Sequence, residues 1–266
     1  METNVIYNED CIGENGMCRL PDNSIDMILA DLPYGTTDCK WDSIIPLKPL
    51  WKKYKRIIKE NGAIVLTASQ PFTTKLIQSN IKWYKYEWIW QKNAGSNFGC
   101  VKYQPMKEHE NILVFGNGKV NYYPIMEKRK GEGKERIKYN VNYNTNTEVY
   151  QNGSIKNEMT SKRPNKRYPS SVQKFNRERG LHPTQKPVEL FEYLIKTYTQ
   201  ENEVVLDNVM GSGTTAVACL KTNRKFIGFE KEEKYYNIAL KRIGKFDKKY
   251  YEQLPEEEKP KQMQMF

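Results

Sequence analysis

The chain has 266 residues, with 43 Lys or Arg against 32 Asp or Glu and a formal net charge of +11. That length suits one large domain, or a core domain carrying a substantial insertion. No run of about 18 apolar residues occurs, and the opening METNVIYNED has neither a basic nor an apolar stretch, so no membrane span or secretory signal is expected and the cytoplasm is the expected compartment.

Cys11, Cys18, Cys39, Cys100 and Cys219 are scattered and form no CxxC, and His109 and His182 are the two histidines. Neither a disulfide framework nor a metal site is expected from them. Excess positive charge directs attention to a polyanionic partner.

In chain order, the apolar run 25–30 (IDMILA) predicts a buried strand that ends at Asp31, followed by the forced turn Leu32-Pro33-Tyr34-Gly35. Leu47, Leu50, Trp51, Tyr54, Ile57 and Ile58 fall at helical spacing, with Gly62 as the stop and 63–67 (AIVLT) as the next strand. EWIWQ (87–91) and NILVF (111–115) predict two more strands. Residues 119–180 then lose apolar periodicity and hold 15 basic and 6 acidic residues, whereas 1–118 holds 14 and 13 and 181–266 holds 14 and 13. Nearly all the net charge therefore belongs to this one segment. Its lysines and arginines, interleaved with Tyr123, Tyr139, Tyr143, Tyr150 and Tyr168, suit phosphate contact and base stacking; Lys162, Arg163, Lys166, Arg167 and Tyr168 are the residues expected to make such contacts with a nucleic acid. The plain alternative is a solvated, partly disordered loop.

Beyond it, Pro187 is placed to open a helix carrying Leu190, Leu194, Ile195 and Tyr198. A strand (VVL, 204–206), a Gly-rich turn, the helix TTAVACLK, the strand KFIGF (225–229) and a helix through Ile238, Ala239 and Ile243 follow, and the tail 247–266 is polar and expected to fray. Alternating strands and helices predict an α/β fold with a mostly parallel sheet and helices on both faces. Ligands gather at the carboxyl ends of such strands, where Asp31, Asp207 and Glu230 each follow an apolar run.

In the segment LDNVMGSGTTA, Gly211 and Gly213 allow close backbone approach, and the helix beginning at Thr214 and Thr215 offers amides to an anion. No Lys follows the second glycine, so this is not a P-loop. An acid, a Gly-rich turn and a second acid about 20 residues on suit a ribose-bearing cofactor, either NAD or S-adenosylmethionine. ADLPYGTTDCKWD places a carboxylate, a rigid turn and an aromatic ring within four residues. Asp31 and the Leu32 carbonyl can accept both protons of an exocyclic amine, and Tyr34 can stack on the ring that bears it. Such a pocket suits a flipped nucleobase.

DLPYG and DNVMGSGTT, in that order, resemble the β-class S-adenosylmethionine-dependent DNA amino-methyltransferases, and the segments NVIYNEDC, WIWQKN, HENILVF, RYPSSVQKF, HPTQKPVELFEYLI and FIGFEKEEKYYNIALKRI extend the resemblance over most of the chain. It implies a circularly permuted Rossmann-like sheet with an inserted target-recognition segment: catalytic halves at 1–118 and 181–246, the insertion at 119–180, and methyl transfer to adenine N6 of a flipped base in double-stranded DNA. Asp31, Leu32, Pro33 and Tyr34 would be the catalytic tetrapeptide. Asp10 and Cys11 would lie by the cofactor adenine, Glu230 on its ribose, Gly211, Gly213, Thr214 and Thr215 around its methionine moiety, Asp207 and Asp31 near it, and Thr184 and Lys186 by its carboxylate. A homodimer and a cognate restriction endonuclease are partners the resemblance implies. Leu32 and Asn208-Val209 depart from the family's usual Pro and Pro-Phe. The competing readings are cytosine N4 methylation, a DNA-binding protein without catalysis, and an NAD-dependent oxidoreductase, which would leave DLPYG and the basic segment unexplained.

Overall fold

The computed structural model describes residues 1–37, 39, 42–128, 166–178, 180 and 185–260. Two units result, Met1–Tyr123 with Ser170–Phe266, and Pro124–Pro169. In the second, the described residues form one short antiparallel ladder, β6 (Glu127–Lys128) with β7 (Lys166–Arg167), in which Arg167 is ion-paired to Glu127 at 2.7 Å.

The first unit is built on one eight-stranded sheet. Its strands are β1 (Val5–Tyr7), β2 (Ile25–Ala30), β3 (Ile58–Ala68), β4 (Tyr84–Ser96), β5 (Lys107–Phe115), β8 (Val172–Lys174), β9 (Val204–Asp207) and β10 (Lys225–Phe229), in the spatial order β1-β10-β9-β2-β3-β5-β4-β8. Only β5 runs against its neighbours; every other pairing is parallel. Strand β2, at the sheet's centre, is buried on both faces, which is why it reads as an unbroken apolar run. Met27 and Leu29 join one core with α3 (Val188–Tyr198), α4 (Thr214–Lys221) and α5 (Glu233–Ile243); Ile28 and Ala30 join the other with α1 (Leu47–Ile57) and α2 (Phe72–Ser79).

The expected strands and helices are present, with three differences. Ile58 opens β3 rather than closing α1, because Ile58 pairs with Ile25 in the sheet, so Gly62, expected to stop the helix, lies within that strand. The strand β8 lies inside the segment expected to be inserted, so the first unit resumes at Ser170 and the sheet at Val172, not after residue 180. The expected frayed tail contains α6 (Lys248–Gln253), capped by Asp247, with Tyr250 buried and its hydroxyl donating to the Asn4 carbonyl at 2.9 Å.

Gly213 sits just before α4 at φ +82°, and a Cβ there would meet the Ala239 Cβ of α5 at 3.1 Å. Gly118 has a similar φ of +76° with open space around it. Gly213→Ala should therefore lower stability by about 1–3 kcal/mol, and by more than Gly118→Ala, in urea unfolding.

Candidate active site

The parallel strands deliver their last residues to one edge of the sheet, and β5, running the other way, delivers its first residues to the same edge. A cavity of about 380 Å³ opens there, lined among others by Asp10, Asp31, Lys92, Glu110, Lys186, Asp207, Gly211 and Glu230. Its size fits a nucleoside-sized ligand.

One half of the cavity is organised around Asp31, at the end of β2. Its Oδ1 accepts from the Tyr34 hydroxyl at 2.9 Å and from the Thr67 hydroxyl of β3, and its Oδ2 accepts from Lys186 Nζ at 2.6 Å. Lys186 also lies 3.3 Å from Glu110 Oε2, and Glu110 Oε1 is paired with Lys92 of β4 at 2.6 Å. Two carboxylates and two ammonium groups thus alternate in a line, with both lysines at most 7% exposed. Burial alone would raise Glu110, but Lys186 and Lys92 outweigh it and hold the carboxyl below its usual range. Burial likewise disfavours the Lys186 ammonium, and Asp31 and Glu110 more than restore it. The Tyr34 hydroxyl is pushed far up by burial and by the same two carboxylates, so it is a donor and never a base at neutral pH. One face of its ring stacks on Phe72 at 5.5 Å. The turn beyond is gathered by Asp42, which accepts the Gly35, Thr36 and Thr37 amides and the Thr37 hydroxyl at 2.8–2.9 Å.

The other half is organised around Asp207 and Glu230. Asp207 is buried and accepts from the Val209 amide at 3.0 Å and from the Thr215 hydroxyl. Burial pushes its carboxyl up to about 7, with Asp31 and Glu230 adding to the shift. Glu230 accepts the Gly211 amide at 2.7 Å and the Glu232 amide at 2.8 Å, and burial raises it too. Gly211 has φ +54°, and a Cβ there would meet nothing nearer than 3.9 Å, so the backbone borders open space. Asp10 accepts the Ile12 amide at 2.9 Å, and the Cys11 thiol is buried against Asn208 and raised by that burial to about 11.

Several placements differ from the sequence expectation. Lys186, expected by a cofactor carboxylate, has its Nζ on Asp31 and Glu110. Thr215 is fully buried beneath Asp207 and holds that carboxylate rather than facing the cavity. Gly213 packs α4 on α5, and the Thr214 hydroxyl accepts from Arg242 at 2.9 Å. Lys166, Arg167 and Tyr168 are exposed in the second unit. Thr184, Lys162 and Arg163 lie outside the described residues, as does His182. Thr67, Lys92, Glu110 and Asp42 were not singled out from the sequence. The visible signal for Lys92 and Glu110 was a charged residue at the end of one apolar strand and the start of the next.

A Rossmann-like sheet with a Gly-rich turn, a strand-end carboxylate on each side of it and an Asp-Leu-Pro-Tyr motif across the cavity defines an S-adenosylmethionine-dependent methyltransferase. A family model described as "DNA methylase" (N6_N4_Mtase) matches residues 25–241. The chain belongs to that family, the S-adenosylmethionine-dependent DNA amino-methyltransferases. It is 29% identical to the Type II methyltransferase M.HinfI of Haemophilus influenzae over 271 residues, covering 90% of this chain and 68% of that one. Among solved structures it is similar to the M1.HpyAVI–SAM complex (TM-score 0.58, 24% identity, 90% of this chain and 98% of the other). It is also similar to the cytosine-N4-specific PvuII DNA methyltransferase (TM-score 0.61, 14% identity, 90% and 86%). No helix among the described residues is long and apolar enough to cross a membrane.

The residues present fit S-adenosylmethionine. Glu230 is a carboxylate held by backbone amides at the cavity wall and would accept from ribose hydroxyls, Gly211 leaves room for close approach, and Asp207 is a buried carboxylate that a cationic group would return to its ionised form.

Two expectations follow. Glu110→Gln leaves Lys92 buried without its 2.6 Å partner and should cost about 3 kcal/mol, while Lys92→Met with Glu110→Gln should cost less than the two single substitutions together in denaturant unfolding. Asp207 binds a proton in the folded state that the unfolded chain releases at ordinary carboxyl pH, so its stabilising contribution is complete below about pH 4 and is lost as the pH rises toward about 7. Ligand binding has the opposite dependence: the dissociation constant for S-adenosylmethionine should rise by up to about tenfold per pH unit below about 7, and Asp207→Asn should weaken binding and flatten that dependence in calorimetry.

Proposed function

We propose that the protein methylates the N6 amine of an adenine flipped out of double-stranded DNA, with Asp31, Leu32, Pro33 and Tyr34 as the catalytic turn. The observation that carries this reading is the arrangement around Asp31. Both lone pairs of its Oδ1 are taken by Tyr34 and Thr67, while Oδ2, held by Lys186, keeps one lone pair for an incoming N–H. The Leu32 carbonyl accepts no hydrogen bond among the described residues, which leaves it for the second N–H.

The adenine amine is a poor nucleophile because its lone pair is conjugated with the ring. Two acceptors on its protons draw the nitrogen toward tetrahedral geometry and concentrate that lone pair on the side facing the cofactor half of the cavity. Bound there, S-adenosylmethionine supplies a sulfonium methyl. Asp31 Oδ2 would be the first acceptor for the proton that the amine nitrogen sheds on gaining that methyl, the C–S electron pair staying with the departing sulfur. Lys186 holds Asp31 in place at 2.6 Å, and the Tyr34 ring, backed by Phe72, stacks on the base. Catalysis is then positioning and electrostatic complementarity, with no covalent enzyme intermediate.

Asp31 is the family feature that favours adenine over cytosine. Cytosine N4 methylation is the second reading, because the amine chemistry is the same. The basic 119–180 segment supports DNA recognition by Lys162, Arg163, Lys166, Arg167 and Tyr168, and Thr184 near the cofactor carboxylate remains part of the proposal. The protein is read as cytoplasmic, acting as a homodimer beside a cognate restriction endonuclease. Sequencing that detects modified bases, on DNA from cells expressing the protein, should reveal N6-methyladenine at one short sequence; N4-methylcytosine instead would replace the base assignment. Asp31→Ala should abolish transfer of labelled methyl groups while DNA binding persists, and a variant that keeps most of its turnover would sink the mechanism.

A further inference from the structure

Residues 97–106, the turn joining β4 to β5, hold four of the ten large apolar side chains that are exposed among the described residues: Phe98 at 64%, Val101 at 49%, Tyr103 at 89% and Met106 at 43%. The segment is an organised turn. Asn97 is left-handed at φ 74°, Phe98–Cys100 forms a single 3-10 turn, and the Tyr103 and Gln104 amides donate to the Cys100 carbonyl at 2.9 and 3.0 Å. Its two feet, Ser96 and Lys107, pair across the ladder and line the catalytic cavity. From 97 to 107 the sequence contains Lys102 and Lys107 and no acidic residue.

We propose that this turn is a wedge for duplex DNA. An aromatic side chain at its tip enters the base stack where the target nucleotide leaves, and Lys102 and Lys107 meet the adjacent phosphates. Three features favour that occupant. The turn rises from the rim of the cavity that must receive the flipped base. Exposed rings on a narrow turn fit the gap between two base steps, whereas a second copy of the chain would call for a broader apolar face. The lysines complement phosphate rather than another basic chain of net charge +11. Extrusion of a paired base costs its stacking and pairing, and a ring that refills the stack offsets part of that cost. The inference rests on the reading of the cavity as a site for a flipped base.

The test uses full-length protein and a short duplex containing the sequence found methylated, in two versions: the target base paired normally, or placed opposite an abasic site so that there is little pairing to break. Tyr103→Ala with Phe98→Ala should slow methyl transfer to the paired duplex by about tenfold or more and reduce the fluorescence rise of 2-aminopurine placed at the target. The same variant should retain near wild-type transfer on the abasic duplex and unchanged S-adenosylmethionine binding, and Tyr103→Phe should restore most of the loss. Equal rates for variant and wild type on the paired duplex, or equal losses on both duplexes, would overturn the wedge. So would a variant that flips normally but changes sedimentation from dimer to monomer, since the turn would then face a second copy. A wild-type chain that methylates neither duplex would overturn the methyltransferase reading itself.

Discussion

The contact between Lys186 and Asp31 joins parts of the chain 155 residues apart, and the active site depends on it. A buried ammonium is unfavourable unless carboxylates surround it, and a carboxylate at the end of a buried strand is unfavourable unless it is compensated. Each group therefore fixes the other. Lys186 lies just ahead of α3, after the inserted unit, and Asp31 ends β2, before it. The pair, extended through Glu110 and Lys92, ties the two halves of the catalytic unit at the point where chemistry is proposed to occur. It also explains why four charged side chains can occupy a largely buried line, since their signs alternate and the line as a whole is neutral.

Asp31 and Asp207 are the same residue type at the same kind of position, the end of a central parallel strand, yet their surroundings divide their roles. Asp31 has a cation at 2.6 Å and two hydroxyl donors. Asp207 is buried with no cation beside it among the described residues, and burial, reinforced by two nearby carboxylates, raises its affinity for protons despite the hydrogen bonds from one amide and one hydroxyl. A carboxylate already compensated is ready to accept hydrogen bonds from a neutral amine. One that lacks compensation is suited to a ligand that brings positive charge. Neighbours, rather than the residue itself, separate the acid proposed to face the base from the one proposed to face the cofactor.

Much of this was legible in the sequence, for physical reasons. Strands buried on both faces, such as 25–30 and 204–207, read as apolar runs, and an acid directly after such a run marks the ligand edge of a parallel sheet. That rule located Asp31, Asp207 and Glu230. It could not locate Glu110, because β5 is antiparallel and reaches the same edge with its start; nothing local distinguishes that strand's direction. The edge strand β8 has three residues, two of them exposed, so its pairing with β4 is a tertiary fact without a periodic signal. Helix α2 turns only Phe72, Thr73 and Leu76 fully inward, too few for a clear period. Lys186 was recognised as a site residue, but its partner was not, because spacing along the chain says nothing about which of several acids a long side chain reaches.

The chain's excess positive charge and its buried charged line lie in different stretches of the sequence. Residues 1–118 and 181–266, which supply the Asp31–Lys186–Glu110–Lys92 line, each hold 14 basic and 13 acidic residues, and 119–180 holds the excess. Electrostatic attraction to phosphate is long-ranged and weakens with salt, whereas a compensated buried cluster is screened little by ions outside it. Placing the excess charge in the insertion keeps a strong field from being imposed by the core's own composition on a site whose ionisation states are set within a few ångströms. On the proposed reading, the same separation would let the inserted segment change in sequence, and with it the DNA that is read, without altering the distances around Asp31.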